Sequence, residues 1–305
     1  MLDTDTIHDK ALPVVVRKPA ELRIPMVPGA GRGRRFMMAQ LCVAGIIAIL
    51  LVAASLFPQV FAPYDPAGIS LSNVLKLPTS AHPFGTDQLG RDILSRVIHG
   101  TQVSLFVAFW AVLLAGVGGG LLGVAAGYLG GVVDSVVMRL ADIQLALPAV
   151  ILAMVLVGAI GFSIFNLIVV LSLANWARFA RVTRSEALSL RQRDFVLLAR
   201  LAGASRLRII LRHIVPNVLS TFIVLATLDV GIIIILEATL SFLGLGVQPP
   251  TPSWGAMIAE GRGYLETAWW ICTFPGLVLM AAVLSANLLG DYLRDRLSPN
   301  LTRAW

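Results

Sequence analysis

The chain has 305 residues, of which 57% are hydrophobic and 13% are charged, and its formal net charge at pH 7 is +7. Soluble domains carry about 25% charged residues, so this composition excludes a soluble globular protein. Membrane insertion alone accounts for the excess of basic residues. We therefore expect the chain to lie in a lipid bilayer and to have no nucleic-acid partner.

A polar arm, residues 1–36, precedes the first apolar run and ends in the arginine-rich segment 32–35. We see no cleavable signal peptide in it, and we expect the arm to stay in the cytoplasm. Six apolar runs follow, and they predict an all-α membrane protein with six transmembrane helices, of which the fourth is the shortest and is expected to continue as a helix into the basic loop. They are Met38–Phe61, Val103–Tyr128, Val136–Ile160, Phe162–Ala177, Val218–Leu243 and Trp269–Leu289.

Lysine and arginine predict the orientation of these spans, because cytoplasmic loops carry the positive excess. With a cytoplasmic amino terminus, twenty of the 24 basic residues lie inside and four lie outside. Both termini are therefore expected in the cytoplasm, with one membrane domain over residues 37–291 and a cytoplasmic tail over 292–305. The segments 62–102 and 244–268 then lie outside, and their Pro and Gly content predicts irregular loops or short helices.

The second span carries glycines at steps of four, which allow another helix to approach closely. They are Gly116, Gly119, Gly120, Gly123, Gly127 and Gly131. Plain tight packing is the simpler interpretation, and a helix that slides during a conformational cycle is the functional one.

Ionisable residues inside spans are costly, and they usually face a cavity or a partner. Asp142 lies three residues after Arg139, so the two are expected to pair on one helix face. Asp229 and Glu237 share a face of the fifth span, about two turns apart. With Asp142 they are candidates for lining a translocation path, and the alternative is a structural contact with a partner subunit.

The most basic part of the chain is the loop 178–216, which separates the fourth and fifth spans. Its sequence favours a helix to about Leu201, and Gly203 then predicts a helix end. Ser205 is placed to cap a second short helix, which Pro216 is expected to end. In that helix one apolar stripe is predicted, formed by Leu207, Ile210, Leu211 and Ile214.

This helix–glycine–helix element has two interpretations that periodicity does not separate. Its apolar ridge and cationic flank suit a groove on a soluble partner. They equally suit an interfacial helix whose stripe lies in lipid and whose arginines meet anionic headgroups.

The segment LLARLAGASRLRIILRHIVPN resembles the cytoplasmic EAA loop of ABC importer membrane subunits. Gly203 stands at the glycine of that motif, Ala199 at its second alanine and Val215–Pro216 at its closing pair. The Glu position of the motif falls on Leu197 and its first alanine on Leu198, so this copy departs from the consensus.

Further blocks are similar to the second permease subunit of dipeptide, oligopeptide and nickel importers, over about residues 36–300. They are HPFGTDQLGRDILSRVIHGTQVSL, MRLADIQLALP, EATLSFLGLGVQPPTPSWGAMI and LGDYLRDRLSP. The resemblance implies the type I ABC importer transmembrane fold in a bacterial cytoplasmic membrane. It also implies a homologous second permease, two ATP-binding-cassette subunits and an extracytoplasmic substrate-binding protein as partners.

By the same resemblance, ATP and Mg²⁺ bind the partner ATPases, and this chain binds no cofactor or metal. A P-loop needs a lysine after glycine, yet the lysines of this chain follow Asp, Arg and Leu. The residues implied in ATPase coupling are Ala199, Arg200, Gly203, Ala204, Ser205, Arg206, Leu207, Ile210, Leu211 and Pro216. In the segment FGTDQLGRD, Phe84, Asp87, Arg91 and Asp92 are implied in contact with the binding protein or the outer gate, and a salt-bridged turn is the alternative.

Two other functions are weaker. A stand-alone secondary transporter needs inverted repeats and interrupted spans in matching positions, and the sequence presents neither. An intramembrane hydrolase needs a catalytic motif, and the sequence contains neither HExxH nor GxSxG. The resemblance leaves the solute open among peptides, opines, glutathione and nickel, and it implies a heterodimer of permeases.

Overall fold

The structure, a computed structural model, describes the backbone of residues 30–297 and the side chains of residues 37–297. The chain divides into two compact units, residues 1–38 and 39–305, and of the first unit only the helical start of α1 is described. The predicted arm 1–36 therefore lies outside the described residues except for 30–36, as does the end of the predicted tail after residue 297.

Between residues 30 and 297 the regular elements are helices, and an isolated antiparallel bridge joins Thr86 to Asp92. The helices are α1 (Ala30–Leu56), α2 (Pro58–Phe61), α3 (Ile93–Leu129), α4 (Gly131–Leu145), α5 (Ala149–Ile160), α6 (Ile164–Arg191), α7 (Asp194–Leu201), α8 (Arg206–Ile209), α9 (Val215–Phe242), α10 (Trp254–Gly261) and α11 (Trp270–Leu297). Short 3₁₀ turns lie at Leu71–Asn73 and Arg262–Tyr264, and a π-helical turn lies at Ile210–Ile214.

Among the described residues, five continuous helices are long and apolar enough to cross a membrane. They are Met37–Leu56 of α1, then α3, α6, the continuous helix Arg206–Phe242, and α11. The all-α membrane class is thereby confirmed. The predicted continuous third span, Val136–Ile160, is wrong, because α4 and α5 meet at an angle of 94° and amount to at most one broken span.

Pro148 causes this bend between α4 and α5. A residue before proline is pushed out of the helical region, and Pro148 itself has an extended backbone with ψ 127° at the N-cap of α5. The prediction counted only the apolar length of this segment and did not give Pro148 its weight as a helix breaker.

Helix α3 has 37 residues and a length of about 55 Å, and it contributes residues to all three hydrophobic clusters. It begins ten residues before the predicted span because the Asp92 carboxylate accepts a hydrogen bond from the Ser95 amide and caps its first turn. The predicted outer segment 62–102 therefore ends in helix. Helix α6 runs on past the predicted span to Arg191, as expected for a helix that continues into the basic loop.

The glycines of α3 let α6 lie against it at close range. A methyl group on Gly119, Gly123 or Gly127 would meet backbone carbonyl oxygens of α6 at overlapping distance. Gly116 and Gly120 instead face the Phe222 ring of α9. The predicted close approach is confirmed, except that Gly131 begins α4 and has open space around it.

The core lies where α3, α5, α6, α9 and α11 meet. Two smaller clusters lie at the two ends of α3. The cluster at its amino end includes Ile93 and Trp270, and the one at its carboxyl end includes Tyr128 and Ile209. These end clusters fix the two regions that carry the candidate functional residues.

Candidate functional site

The break at Gly203 is a Schellman ending of α7. Gly203 has φ +79°, its amide donates to the Arg200 carbonyl, and the Ala204 amide donates to the Ala199 carbonyl at 3.1 Å. A left-handed residue at this position is usually glycine. The predicted helix end is confirmed, and α6 is already separated from α7 by a turn at Gln192–Arg193.

Ser205 caps α8, since its hydroxyl accepts a hydrogen bond from the Arg208 amide at 3.4 Å. This confirms the predicted cap. The prediction that Pro216 ends the helix is wrong, because α8, the π-turn and α9 form one continuous helix from Arg206 to Phe242. Pro216 has no amide donor and comes directly after the π-turn and Val215, where the hydrogen-bond pattern of the helix is already irregular.

The π-turn also divides the predicted apolar stripe. Ile210 and Ile214 pack inward, but Leu207 and Leu211 are 66% and 56% exposed. A π-turn closes hydrogen bonds over five residues instead of four, so the spacing rule of a regular α-helix fails across it. Ile209, which periodicity left out, is 1% exposed and packs in the cluster around Tyr128.

Five leucines of α7, α8 and the π-turn are exposed in the described chain, and we call this set the leucine face. Leu201 is its most exposed member at 84%. Its members are Leu197, Leu198, Leu201, Leu207 and Leu211. Opposite this face, Val196, Ile209 and Ile214 anchor the segment against α3 and α6.

Arginines of the basic loop divide into a paired and an unpaired group. Arg178, Arg181 and Arg184 of α6 each contact an aspartate. The later ones have no carboxylate within salt-bridge distance among the residues that the structure describes; they are Arg191, Arg193, Arg200, Arg206, Arg208 and Arg212. The positive charge beyond Arg184 is thus left for something outside the described chain.

Two ion pairs join α4 to α6. Arg181 Nη2 lies 2.6 Å from Asp142 Oδ1, and Arg184 Nη2 lies 2.7 Å from Asp134 Oδ2. The predicted pairing of Asp142 with Arg139 is wrong, since a residue on the neighbouring helix lies closer than the one a turn away. Asp142 remains 63% exposed.

The other two predicted path residues are enclosed by their own chain. Asp229 and Glu237 are both 0% exposed. Glu237 accepts hydrogen bonds from Ser104 at 2.9 Å and from Ser241 at 2.7 Å. Arg178 Nη1 lies 2.7 Å from Asp229 Oδ1, an ionic contact whose angles are not those of a hydrogen bond. Both carboxylates therefore join helices within the subunit, and the predicted path-lining role does not fit their burial.

At the amino end of α3, the FGTDQLGRD block forms a buried ion network. Asp87 is 0% exposed and binds the side chains of both Arg91 and Arg96. Glu260 of α10 closes it, with its Oε2 at 3.0 Å from Arg91 and 2.9 Å from Arg96. This geometry is that of the salt-bridged turn. Arg96 and Glu260 were missed by sequence reasoning, because 164 residues separate them and no local pattern links them.

Two further predicted residues hold the same block in place. Asp92 accepts hydrogen bonds from the Ser95 amide at 2.8 Å and from His82 Nδ1 at 2.9 Å. The Phe84 ring stacks on Phe274 of α11 with centroids 4.2 Å apart. Trp254 and Trp270, both buried, donate their indole N–H to backbone carbonyls of this region. We use the name outer block for the FGTDQLGRD segment together with the side chains that hold it. They are His82, Arg96, Trp254, Glu260, Trp270 and Phe274.

Among the described residues no group of three or more His, Cys, Asp or Glu side chains converges in a way that would hold a metal ion.

Comparison with known proteins gives a consistent result. A family model described as "Binding-protein-dependent transport system inner membrane component" matches residues 119–303. The chain is 44% identical over 259 residues to the nickel transport system permease protein NikC of Escherichia coli K12, covering 85% of this chain and 94% of that protein.

Two other curated proteins have comparable similarity. The probable D,D-dipeptide transport system permease protein DdpC of Escherichia coli K12 is 41% identical over 256 residues, covering 84% of this chain and 86% of that protein. The glutathione transport system permease protein GsiD of Escherichia coli O6:K15:H31 (strain 536 / UPEC) is 42% identical over 292 residues, covering 95% of each chain.

Proposed function

The chain belongs to the family of binding-protein-dependent transport system inner membrane components, and from that premise we propose that it is the membrane-spanning permease subunit of an ATP-driven importer. It forms half of the translocation path, and separate ATPase subunits supply the energy. The leucine face is the observation that carries this proposal, because exposed leucines next to arginines without a described carboxylate partner suit the surface of a protein partner.

Docking of an ATPase on α7 and α8 accounts for both features of this end. Five exposed leucines offer the apolar centre of an interface, and the unpaired arginines around them offer its polar rim. Leu197 stands where the EAA motif has Glu, and it is 42% exposed beside Leu198 and Leu201. We infer that apolar contact replaces the ion pair that a glutamate would make.

Transmission of force follows from helix continuity. The segment that carries Leu207 is the start of a helix that continues without interruption to Phe242. Val196, Ile209 and Ile214 fix it against α3 and α6. A displacement of α8 by a closing ATPase therefore moves α9 as well, and through the core it moves the helices that surround the path.

The proposed orientation places the leucine face in the cytoplasm and the outer block on the opposite side. Nine arginines from Arg178 to Arg212 support this placement, because basic residues accumulate on the cytoplasmic side. The localisation is then the bacterial cytoplasmic membrane, with both termini inside. The outer block would meet a substrate-binding protein or form the outer gate, with Phe84, Asp87, Arg91 and Asp92 as its frame.

The complete assembly requires partners that this chain does not contain. We propose a homologous second permease, two ATP-binding-cassette subunits that hold ATP and Mg²⁺, and an extracytoplasmic binding protein. The named relatives transport a D,D-dipeptide, nickel or glutathione. For this chain we propose peptides or similar small solutes. Of the three predicted path residues only Asp142 has the exposure to meet one.

Reconstituted transport tests the proposal, with Gly203→Val as the central variant. A β-branched residue is strongly disfavoured at φ +79°, so the Schellman ending and the leucine face should be displaced. We expect the variant to insert in the membrane, to lose co-purification with the ATPases, and to lose ATP-driven uptake.

Gly244→Val is the matched control, since Gly244 has φ +80° and equally open surroundings but lies outside the basic loop. It should keep the ATPases bound. Solute uptake by vesicles that contain the permeases and lack any ATPase would instead favour a stand-alone secondary transporter and overturn the proposal.

A further inference from the structure

A polar cavity of about 450 Å³ lies behind the leucine face, where the ends of α3, α6 and α7 meet the start of α8. Three arginines line it, one from each of α6, α7 and α8: Arg191, Arg200 and Arg206. The Ser205 hydroxyl and the Tyr128 ring complete its polar wall. We call it the arginine cavity, and its volume falls in the range typical of small-ligand sites.

The arginine cavity has no counter-charge of its own. No carboxylate is among its lining residues, and none of its three arginines has a carboxylate within salt-bridge distance in the part of the chain described. Upstream on α6 the situation is the opposite, because Arg178, Arg181 and Arg184 each contact an aspartate. Arg200 and Arg206 are exposed and Arg191 is half-buried, so the three guanidinium groups are accessible to an anion from solution, and their mutual repulsion favours its binding.

Local contacts hold Arg200 and Ser205 in place and leave their N–H and O–H groups free to donate hydrogen bonds. The Arg200 guanidinium lies over the Tyr128 ring, 5.8 Å from its centroid, and Tyr128 is 5% exposed. Stacking of this kind leaves the edge N–H groups free to donate. The Ser205 oxygen accepts a hydrogen bond from the Arg208 amide, so its own hydroxyl hydrogen is free to point into the cavity.

Arg191 reaches the cavity from the last turn of α6, and its side chain lies close to the α3–α4 junction. Its Nη1 would be 3.2 Å from a Cβ atom at position 130, where the chain has glycine with φ +70°. This contact places the guanidinium of Arg191 beside the junction of α3 and α4.

We propose that the arginine cavity binds a phosphate group. Guanidinium groups match phosphate oxygens in bidentate geometry, and three of them with one hydroxyl satisfy a tetrahedral oxyanion from several sides. The source is free phosphate or the headgroup of an anionic phospholipid, since basic pockets at the cytoplasmic ends of membrane helices recognise such headgroups. A bound phosphate would tie α8 to the ends of α6 and α7.

Equilibrium dialysis on the purified permease–ATPase complex tests this proposal, with radiolabelled inorganic phosphate as the probe. The double variant Arg191→Gln, Arg200→Gln removes two donors and should weaken phosphate binding about tenfold or more. The matched control is Arg193→Gln, Arg208→Gln, which removes the same charge from exposed positions that do not line the cavity. It should bind phosphate as the unaltered complex does.

A second arm separates the two sources. The complex in phosphate-free buffer is placed in nanodiscs of phosphatidylglycerol or of phosphatidylcholine, and its thermal midpoint is measured. A rise with phosphatidylglycerol that the cavity variant loses and the control keeps assigns the site to a lipid headgroup. Saturable phosphate binding without that rise assigns it to the free anion.

Three results would overturn the proposal, and a conservative variant guards against misfolding. Arg191→Lys, Arg200→Lys keeps the charge and should retain part of the binding if the fold is intact. The site is refuted if neither probe binds the unaltered complex, or if the exposed control pair loses as much affinity as the cavity pair. It is also refuted if the cavity variant binds phosphate and responds to phosphatidylglycerol as the unaltered complex does, because the bound group then lies elsewhere.

Discussion

The two ends of α3 show opposite solutions for charged residues. At its amino end, Asp87, Arg91, Arg96 and Glu260 satisfy one another in a buried network. At its carboxyl end, six arginines have no described carboxylate partner and five leucines face outward. The outer block is thus complete within one chain, whereas the leucine face and the arginine cavity are complete only with something added.

This contrast predicts that substitutions at the outer block affect folding and that exposed positions of the other end affect assembly. Four substitutions test it, each with a matched partner. The free energy of unfolding in mixed detergent micelles is the common measurement.

Asp87→Ala should have the largest effect, a loss of about 3–5 kcal/mol, because it leaves two buried arginines with Glu260 as their one described carboxylate and one positive charge in excess. Asp194→Ala, at an exposed carboxylate of α7, should change the free energy of unfolding by less than about 0.5 kcal/mol. Similar losses for both variants would contradict the difference between the two ends.

Ile209→Ala comes next, with an expected loss of about 2–5 kcal/mol, since Ile209 is 1% exposed and truncation leaves a cavity beside Tyr128. Leu207→Ala, two residues away and 66% exposed, should leave the free energy of unfolding nearly unchanged and weaken co-purification of the ATPase. If Leu207→Ala proved the more destabilising of the two, the assignment of inward and outward faces would be wrong.

Gly123→Ala should cost about 1–3 kcal/mol, because the added methyl group overlaps the backbone of α6 and forces the helices apart. Gly118 lies in the same helix with open space beside it, so Gly118→Ala should be neutral or slightly stabilising. Equal effects at both glycines would show that helix propensity and not close packing decides the outcome.

Ser205→Ala should have the smallest effect, about 0.5–1 kcal/mol, through loss of the cap of α8. Ser189→Ala, at an exposed serine of α6, serves as control and should be silent. The difference between the two should appear as increased hydrogen exchange at Arg208 and its neighbours. Unchanged exchange there would mean that the cap does not order this segment.

Features determined by neighbouring residues were predictable from the sequence. Gly203 and Ser205 were recognised as a helix end and a cap because their signals lie within four residues of the groups they satisfy. The apolar runs predicted most of the long helices for the same reason. The glycines of α3 predicted a close helix neighbour, although not that it would be α6.

Features that depend on distant residues or on irregular helix geometry were not predictable. Arg96 finds Glu260 only after α10 folds against α3, and Arg181 outcompetes Arg139 for Asp142 only once α4 lies beside α6. Asp229 and Glu237 gave no sign in the sequence of which helix would enclose them. Pro216 predicts a helix end because proline usually breaks a helix, and the sequence gives no sign of the π-turn that precedes it.

The number of residues in the π-turn at Ile210–Ile214 determines how α8, with its part of the leucine face, is rotated relative to α9. One residue advances an α-helix by about 100°, so removing a single residue from this turn would restore α geometry and rotate α8 by roughly that angle. Leu207 would then swing away from its present direction while α9 kept its own register. The number of residues in the π-turn, more than their identity, thus determines the direction in which α8 presents Leu207 to a binding partner.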